Sequence, residues 1–176
     1  CIRDSEYTDY NQYAIEMIEN ISVPEDTPLD GNKDGYIDNI VLVVDGKTTS
    51  MADPLWAKTF HINGLNVNGC IAGSVNLMTG YTLVGSEIFN GIGTVCHEFL
   101  HSMGYPDLYR KDTSSGSPVG QWDIMSTASI FLQYPLAYQR YKVSGWLDAE
   151  NITENGTYTL APASLSEGNR LYILKT

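Results

Sequence analysis

Five residues, His97-Glu98-Phe99-Leu100-His101, constrain this chain more than any others in it. Two imidazoles four residues apart lie about one turn apart on an α-helix, so both can direct a nitrogen at a single ion from the same face. The flanking residues predict a helix from about Gly91 to Met103. At about 100° per residue, Val95, Cys96, Phe99, Leu100 and Met103 gather on one side, and His97, Glu98 and His101 fall on the other. The expectation is a helix that buries its apolar side and offers a chemical one.

A pair of histidines suits zinc, which in a catalytic site takes three protein ligands and keeps one position open for water. Glu98 sits next to the first histidine, where a carboxylate can take a proton from the activated water and pass it to a leaving amine. The bland reading is a solvated helix that carries the five-residue pattern by chance. The residues just past the helix weigh against it. Gly104 can adopt the left-handed conformation that ends a helix, and Asp107 arrives three residues later with Pro106 stiffening the approach. The chain holds three histidines, so a third imidazole ligand would have to be His61, in Phe60-His61-Ile62. Asp107 is favoured as third ligand because its place follows from the turn, and His61 stays open as a strand histidine near the site.

The rest of the chain narrows the class. Its 176 residues, 43% hydrophobic, are enough for one catalytic domain with a sizeable core. No run of about 18 apolar residues could span a membrane. With 21 acidic against 10 basic residues, the net charge of −11 argues against nucleic acid as partner. Cys1, Cys70 and Cys96 are odd in number and not paired as CxxC, which indicates neither a disulfide framework nor a thiolate zinc site. Cys96 is expected in the core. Cys1 reads as a fragment start, with a lipid-modified mature terminus as the alternative.

Along the chain, Tyr10, Tyr13, Ala14, Met17, Ile18 and Ile21 recur at helical spacing after the N-cap candidates Thr8 and Asp9. A polar loop comes next, in which Asp30, Asn32, Asp34, the Tyr36 carbonyl and Asp38 have the oxygen spacing of a calcium loop, with Gly35 at the sharp turn. It lacks the distal glutamate of a full EF-hand, so an Asx-type turn held by its own side chains competes with calcium. Ile40 to Val44 reads as a buried central strand bounded by Asp45-Gly46. Leu55–Ile62 and Cys70–Leu77 read as edge or hairpin strands, Leu136–Val143 as a last helix, and Gly156–Leu160 and Arg170–Leu174 as two strands.

Taken together, His97-Glu-Phe-Leu-His-Ser-Met-Gly-Tyr-Pro-Asp-Leu-Tyr109, Gly120-Gln-Trp-Asp-Ile-Met-Ser126, Asp34-Gly-Tyr-Ile-Asp-Asn39 and Gly145-Trp-Leu147 resemble the metzincins. More narrowly, they resemble the immune inhibitor A family of secreted bacterial metallopeptidases. The resemblance implies zinc on His97, His101 and Asp107, catalysis by Glu98, and Met125 as the methionine of a turn beneath the metal. Met125 on its own reads as core, and a soft apolar side chain can serve both roles without being a ligand. Thr127 stands where some metzincins have a tyrosine, so a tyrosine switch is not supported. Tyr109, Tyr134 or Tyr138 could serve the oxyanion, but packing is the default for each. The resemblance also implies a propeptide or opening segment ahead of the first helix, in a longer chain.

The expected fold is therefore α+β, a metzincin-like zincin with a twisted mixed β-sheet, an active-site helix and a methionine turn. Residues 1–104 would form a subdomain with the sheet and zinc helix, and residues 105–176 a second one with the methionine turn. The expected function is that of a secreted zinc endopeptidase acting on protein or peptide, with an edge strand from residues 55–75 aligning the substrate and residues 126–131 helping to wall its pocket. An amidase or esterase acting on a small substrate uses the same Lewis-acid machinery. A catalytically silent, metal-stabilised binding domain is the third reading, against which Glu98 counts, since structural zinc needs ligands and no base.

Overall fold

The computed structural model describes residues 4–48, 55–84, 87–89, 92–110, 117–128, 132–162, 164 and 168–174. Cys1 and residues 129–131 of the expected pocket wall lie outside them. Contacts group the chain into two units, residues 1–102 with 129–131, and residues 103–128 with 132–176.

The first unit is organised by a hairpin. Strands β2 (Lys58–Val67) and β3 (Cys70–Val84) pair antiparallel with Val67 opposite Cys70, leaving Asn68-Gly69 as a two-residue loop. Both loop residues have positive φ, 48° and 87°, as the favoured type I′ hairpin turn demands, and Asn and Gly are the residues that tolerate it. Asn68 Nδ2 also donates to the carbonyls of Val23 and Pro24, tying the hairpin tip to the loop after the first helix. Strand β1 (Ile40–Thr48) joins β3 in parallel, and β4 (Glu87–Phe89) pairs antiparallel with the far end of β3, which makes the sheet mixed.

Two sequence readings change here. The order β1-β3-β2 puts β3 in the centre and β1 at an edge, the reverse of what the Ile40–Val44 run suggests. Leu42 is buried, whereas Val41 and Val43 are exposed, so a β-branched run that reads as fully buried is covered on one face alone. Asp45-Gly46 also does not end the strand. The register shifts between Val44 and Lys47, and the strand continues past this bulge to Thr48.

Helix α1 spans Asp4–Glu19, so Thr8 and Asp9 lie inside it and do not cap it. Ala14 and Ile18, one turn apart, reach the core formed with Ile37, Leu42, Phe60, Ile62, Ala72, Val75 and Leu77. Successive side chains of a strand point to opposite faces, so with Val75 and Leu77 in this core, Asn76 faces the other side. There it bonds Ser102 of helix α2 (Ile92–Ser102). The sheet is thus covered by α1 on one face and α2 on the other, and β3 is buried on both.

In the second unit Tyr105, Ile124, Met125 and Leu147 are fully buried. The Tyr105 hydroxyl pairs with Ser144 Oγ at 2.7 Å, and its ring packs on Trp146 at 6.1 Å between centroids. A short 3-10 turn, Gly120–Trp122, precedes the buried segment, and helix α3 spans Ala137–Lys142. Strands β5 (Glu150–Ile152) and β6 (Tyr172–Leu174) pair in parallel. The expected strand at Gly156–Leu160 is irregular instead. Tyr158 turns its hydroxyl back to the Glu154 carbonyl and sets its ring edge-on to Tyr172, so side chains hold this segment where a ladder would have.

Candidate metal centre

Helix α2 delivers the two histidines as the spacing requires. His97 Nε2 and His101 Nε2 stand 3.1 Å apart, with the rings edge-on at 4.7 Å between centroids. Two nitrogens bound at about 2.0–2.1 Å to one tetrahedral zinc stand about 3.3 Å apart, so this separation suits a shared ion. The helix gives way at Gly104, whose φ of +89° is the left-handed conformation expected of a residue just past a helix end. Within the stretch 97–107, His97, His101 and Asp107 each offer one ligand atom, and those atoms all lie within 4.8 Å of one another. Two imidazoles and one carboxylate are a donor set that zinc accepts. Among the described residues this is the one such group. His61 is outside it, exposed on β2 opposite Ser74.

Of the side expected to be buried, Leu100 is buried as expected, but the side expected to be open carries His97 and Glu98 into the packing as well. His97 and Glu98 are 7% and 8% exposed, and Gly93 and Leu100 are buried with them, whereas Val95, Phe99 and Met103 are exposed. Cys96 is half-buried and free. The reason lies in the sheet: where α2 packs, it presents Thr59 and Asn76, polar groups that an apolar helix face would leave unsatisfied. Thr59 Oγ1 lies 3.0 Å from Glu98 Oε2, 2.8 Å from the Glu98 carbonyl oxygen and 2.6 Å from Asn76 Oδ1. Asn76 Nδ2 donates in turn to Asn39 Oδ1 and Ser102 Oγ. The chemical face is therefore the packed face.

The model of the immune inhibitor A peptidase M6 catalytic domain matches residues 11–136. The chain belongs to this M6 family of metallopeptidases. Immune inhibitor A of Bacillus thuringiensis subsp. alesti is 25% identical over an alignment of 136 residues that covers 69% of this chain and 18% of that protein. The chain thus spans a small part of the length of this relative. No solved structure matches it. M6 peptidases are zinc-dependent zincins, and the α+β architecture, the mixed sheet and the His-His-Asp cluster agree with that class.

Within the M6 chain, Met125 is fully buried in a turn built by Asp123, a residue to which the sequence alone assigns no role. The Asp123 carboxylate, itself fully buried, accepts from the backbone N–H of Met125 at 2.7 Å and of Leu136 at 2.6 Å. Its main-chain carbonyl accepts from Ser126 and Thr127, and the Met125 carbonyl accepts from the Leu108 N–H. Thr127 Oγ1 donates to the Gly120 carbonyl, a local bond with no phenol involved. Tyr109, Tyr134 and Tyr138 are exposed, so core packing is not their role here. In the loop after α1, Asp30 accepts from the N–H groups of Asp34 and Gly35, Asp34 from Tyr36, and Asp38 from Gly31. Asn32 Oδ1 accepts from Asp34 N as well. These are the bonds of a self-held polar turn, and Gly35 with its φ of +88° makes the turn.

Proposed function

We propose that this chain is the catalytic part of a secreted zinc endopeptidase, with His97, His101 and Asp107 as metal ligands and Glu98 as general base. The observation that carries the reading is the three-residue ligand cluster with a buried carboxylate next to it in the chain. Zinc, when bound, supplies a Lewis acid that acidifies water and polarises a carbonyl. Glu98 takes the proton from the attacking water and hands it to the departing amine, which turns a poor leaving group into a good one. Its low exposure limits competing solvent. Strand β2 has one edge outside its ladder with β3, and an extended peptide can align there by main-chain hydrogen bonds.

Met125, in the turn that Asp123 holds, is the turn methionine that the resemblance implies; it packs and binds no metal. Secretion accords with what is typical of the M6 family, and no described helix is long and apolar enough to cross a membrane. Calcium at Asp30, Asn32, Asp34, Tyr36 and Asp38 is a separate part of the proposal, supported by oxygen spacing alone.

An amidase or esterase would use the same residues on a compact substrate. Incubating the zinc-loaded chain with an unfolded protein and, in parallel, with small esters and amides separates the two. Internal cuts in the protein at rates well above those for the small substrates support the endopeptidase. The reverse preference refutes it.

A further inference from the structure

We propose that Thr59, backed by Asn76, is a positioning residue for Glu98, holding the carboxylate where it can meet the attacking water. The inference rests on the peptidase reading above and concerns this chain's own residues.

A glutamate side chain has three rotatable bonds, and a base displaced by about 1 Å can cost on the order of 100-fold in rate. Something must therefore hold Glu98. Its neighbours along α2 cannot do so alone, because a helix fixes the Cα–Cβ direction and leaves the outer torsions to the surroundings. The Thr59 hydroxyl has one proton and three acceptor oxygens within reach, Glu98 Oε2, the Glu98 main-chain carbonyl and Asn76 Oδ1. Directed at Oε2, that proton ties the end of the side chain to the strand.

Thr59 is itself well anchored. It is β-branched on a strand, so its χ1 is restricted, and it stands directly opposite Asn76 in the β2–β3 register. Asn76 is fully buried, and its three polar contacts reach Thr59, Asn39 ahead of β1, and Ser102 in the last turn of α2. The network joins β2, the central strand and both ends of the relevant helical segment. A polar pair placed only to fasten the helix would need the Glu98 carbonyl and Ser102. The contact to Oε2 goes beyond fastening and reaches the base itself.

The test compares Thr59→Val, which keeps the branched shape and removes the hydroxyl, with Thr59→Ser, which does the opposite. Both are measured with zinc loaded, alone and in a Glu98→Ala background. Bound zinc, the thermal unfolding midpoint, KM and kcat are recorded, together with the Glu98 side chain in a crystal structure of zinc-loaded Thr59→Val. The expected result is a kcat lowered about 10- to 100-fold in Thr59→Val, with zinc content and KM within about two-fold and most of the rate kept in Thr59→Ser. In the Glu98→Ala background the same change costs nothing further, because the two residues act as one unit. In the crystal, Glu98 occupies more than one rotamer.

The proposal is overturned if Thr59→Val keeps the full rate, if Thr59→Ser is as impaired as Thr59→Val, or if Glu98 keeps a single unchanged rotamer. Should Thr59→Val fail to fold, Thr59→Ala takes its place: a kcat about 10- to 100-fold below that of Thr59→Ser supports the hydroxyl, and equal rates in the two reject it. Failure of the peptidase reading looks different, since the zinc-loaded wild type would then cleave nothing, or Glu98→Ala would cleave as well as the wild type.

Discussion

Asp123→Ala should be among the most damaging substitutions in the second unit, although Asp123 lies outside the proposed chemistry. The carboxylate is fully buried and accepts two main-chain hydrogen bonds, from Met125 at 2.7 Å and Leu136 at 2.6 Å. A hydrogen bond to a charged acceptor contributes about 1.5–3 kcal/mol net, and the two donors are left unmatched in the alanine variant. Because Leu136 is partly exposed, water recovers some of its share, and the loss comes to about 3–5 kcal/mol. Asp123→Asn keeps one carbonyl oxygen and turns an NH2 group toward the other donor, so it should lose about half as much or slightly more. Urea unfolding followed by tryptophan fluorescence reads this directly, since Trp122 and Trp146 both lie in that unit. With a slope of about 2 kcal/mol per molar, the midpoint should fall by about 1.5–2.5 M for alanine. The exposed Asp148→Ala should stay within about 0.5 kcal/mol of the wild type. A fall below about 0.5 M for Asp123→Ala would refute the view that this carboxylate holds the turn.

Removing either His101 or Asp107 by alanine substitution should weaken zinc binding by more than about 100-fold, since changes to residues that merely support ligands already cost 10- to 100-fold. His61→Ala should leave affinity unchanged, and a competition assay with a chromophoric chelator compares all three; a large loss in His61→Ala would restore it as a ligand. Gly104→Ala forces a side chain into left-handed backbone at φ +89°, with an ordinary 3.7 Å contact to Val143, so strain alone should cost about 1–2 kcal/mol. Differential scanning of this variant tests the helix stop. For the loop at residues 30–38, calcium at about 100 times its dissociation constant should add about 2.7 kcal/mol to stability with zinc held constant. An unchanged unfolding midpoint would leave that loop as a turn held by its own hydrogen bonds.

The features legible in the sequence are local ones. The ligand spacing on α2, the Gly104 stop and the last helix depend on residues within a few positions of one another, and each has its counterpart in the structure. The hairpin is only half legible: its two apolar runs read as strands, but Asn68-Gly69, the strongest short-range signal in that region, carries the positive φ values that set its register. Periodicity names two faces of α2 and cannot say which one packs. That depends on Thr59 and Asn76, 39 and 22 residues away from Glu98 in the chain, whose hydroxyl and amide make a polar helix face the better fit to the sheet. Strand β1 misleads for a related reason, because a β-branched run signals a strand without saying whether both of its faces are covered. Asp123 is invisible as a turn-former because its second partner, the Leu136 N–H, is 13 residues further on.

The central claim is that Glu98 acts as base beside a zinc held by His97, His101 and Asp107. It is tested most directly by cleavage of an unfolded protein, comparing the zinc-loaded wild type with Glu98→Ala at equal metal content. The account predicts internal cuts by the wild type and, in Glu98→Ala, loss of nearly all activity with zinc retained. Equal cleavage by both forms, or none by either while both hold zinc, would contradict it.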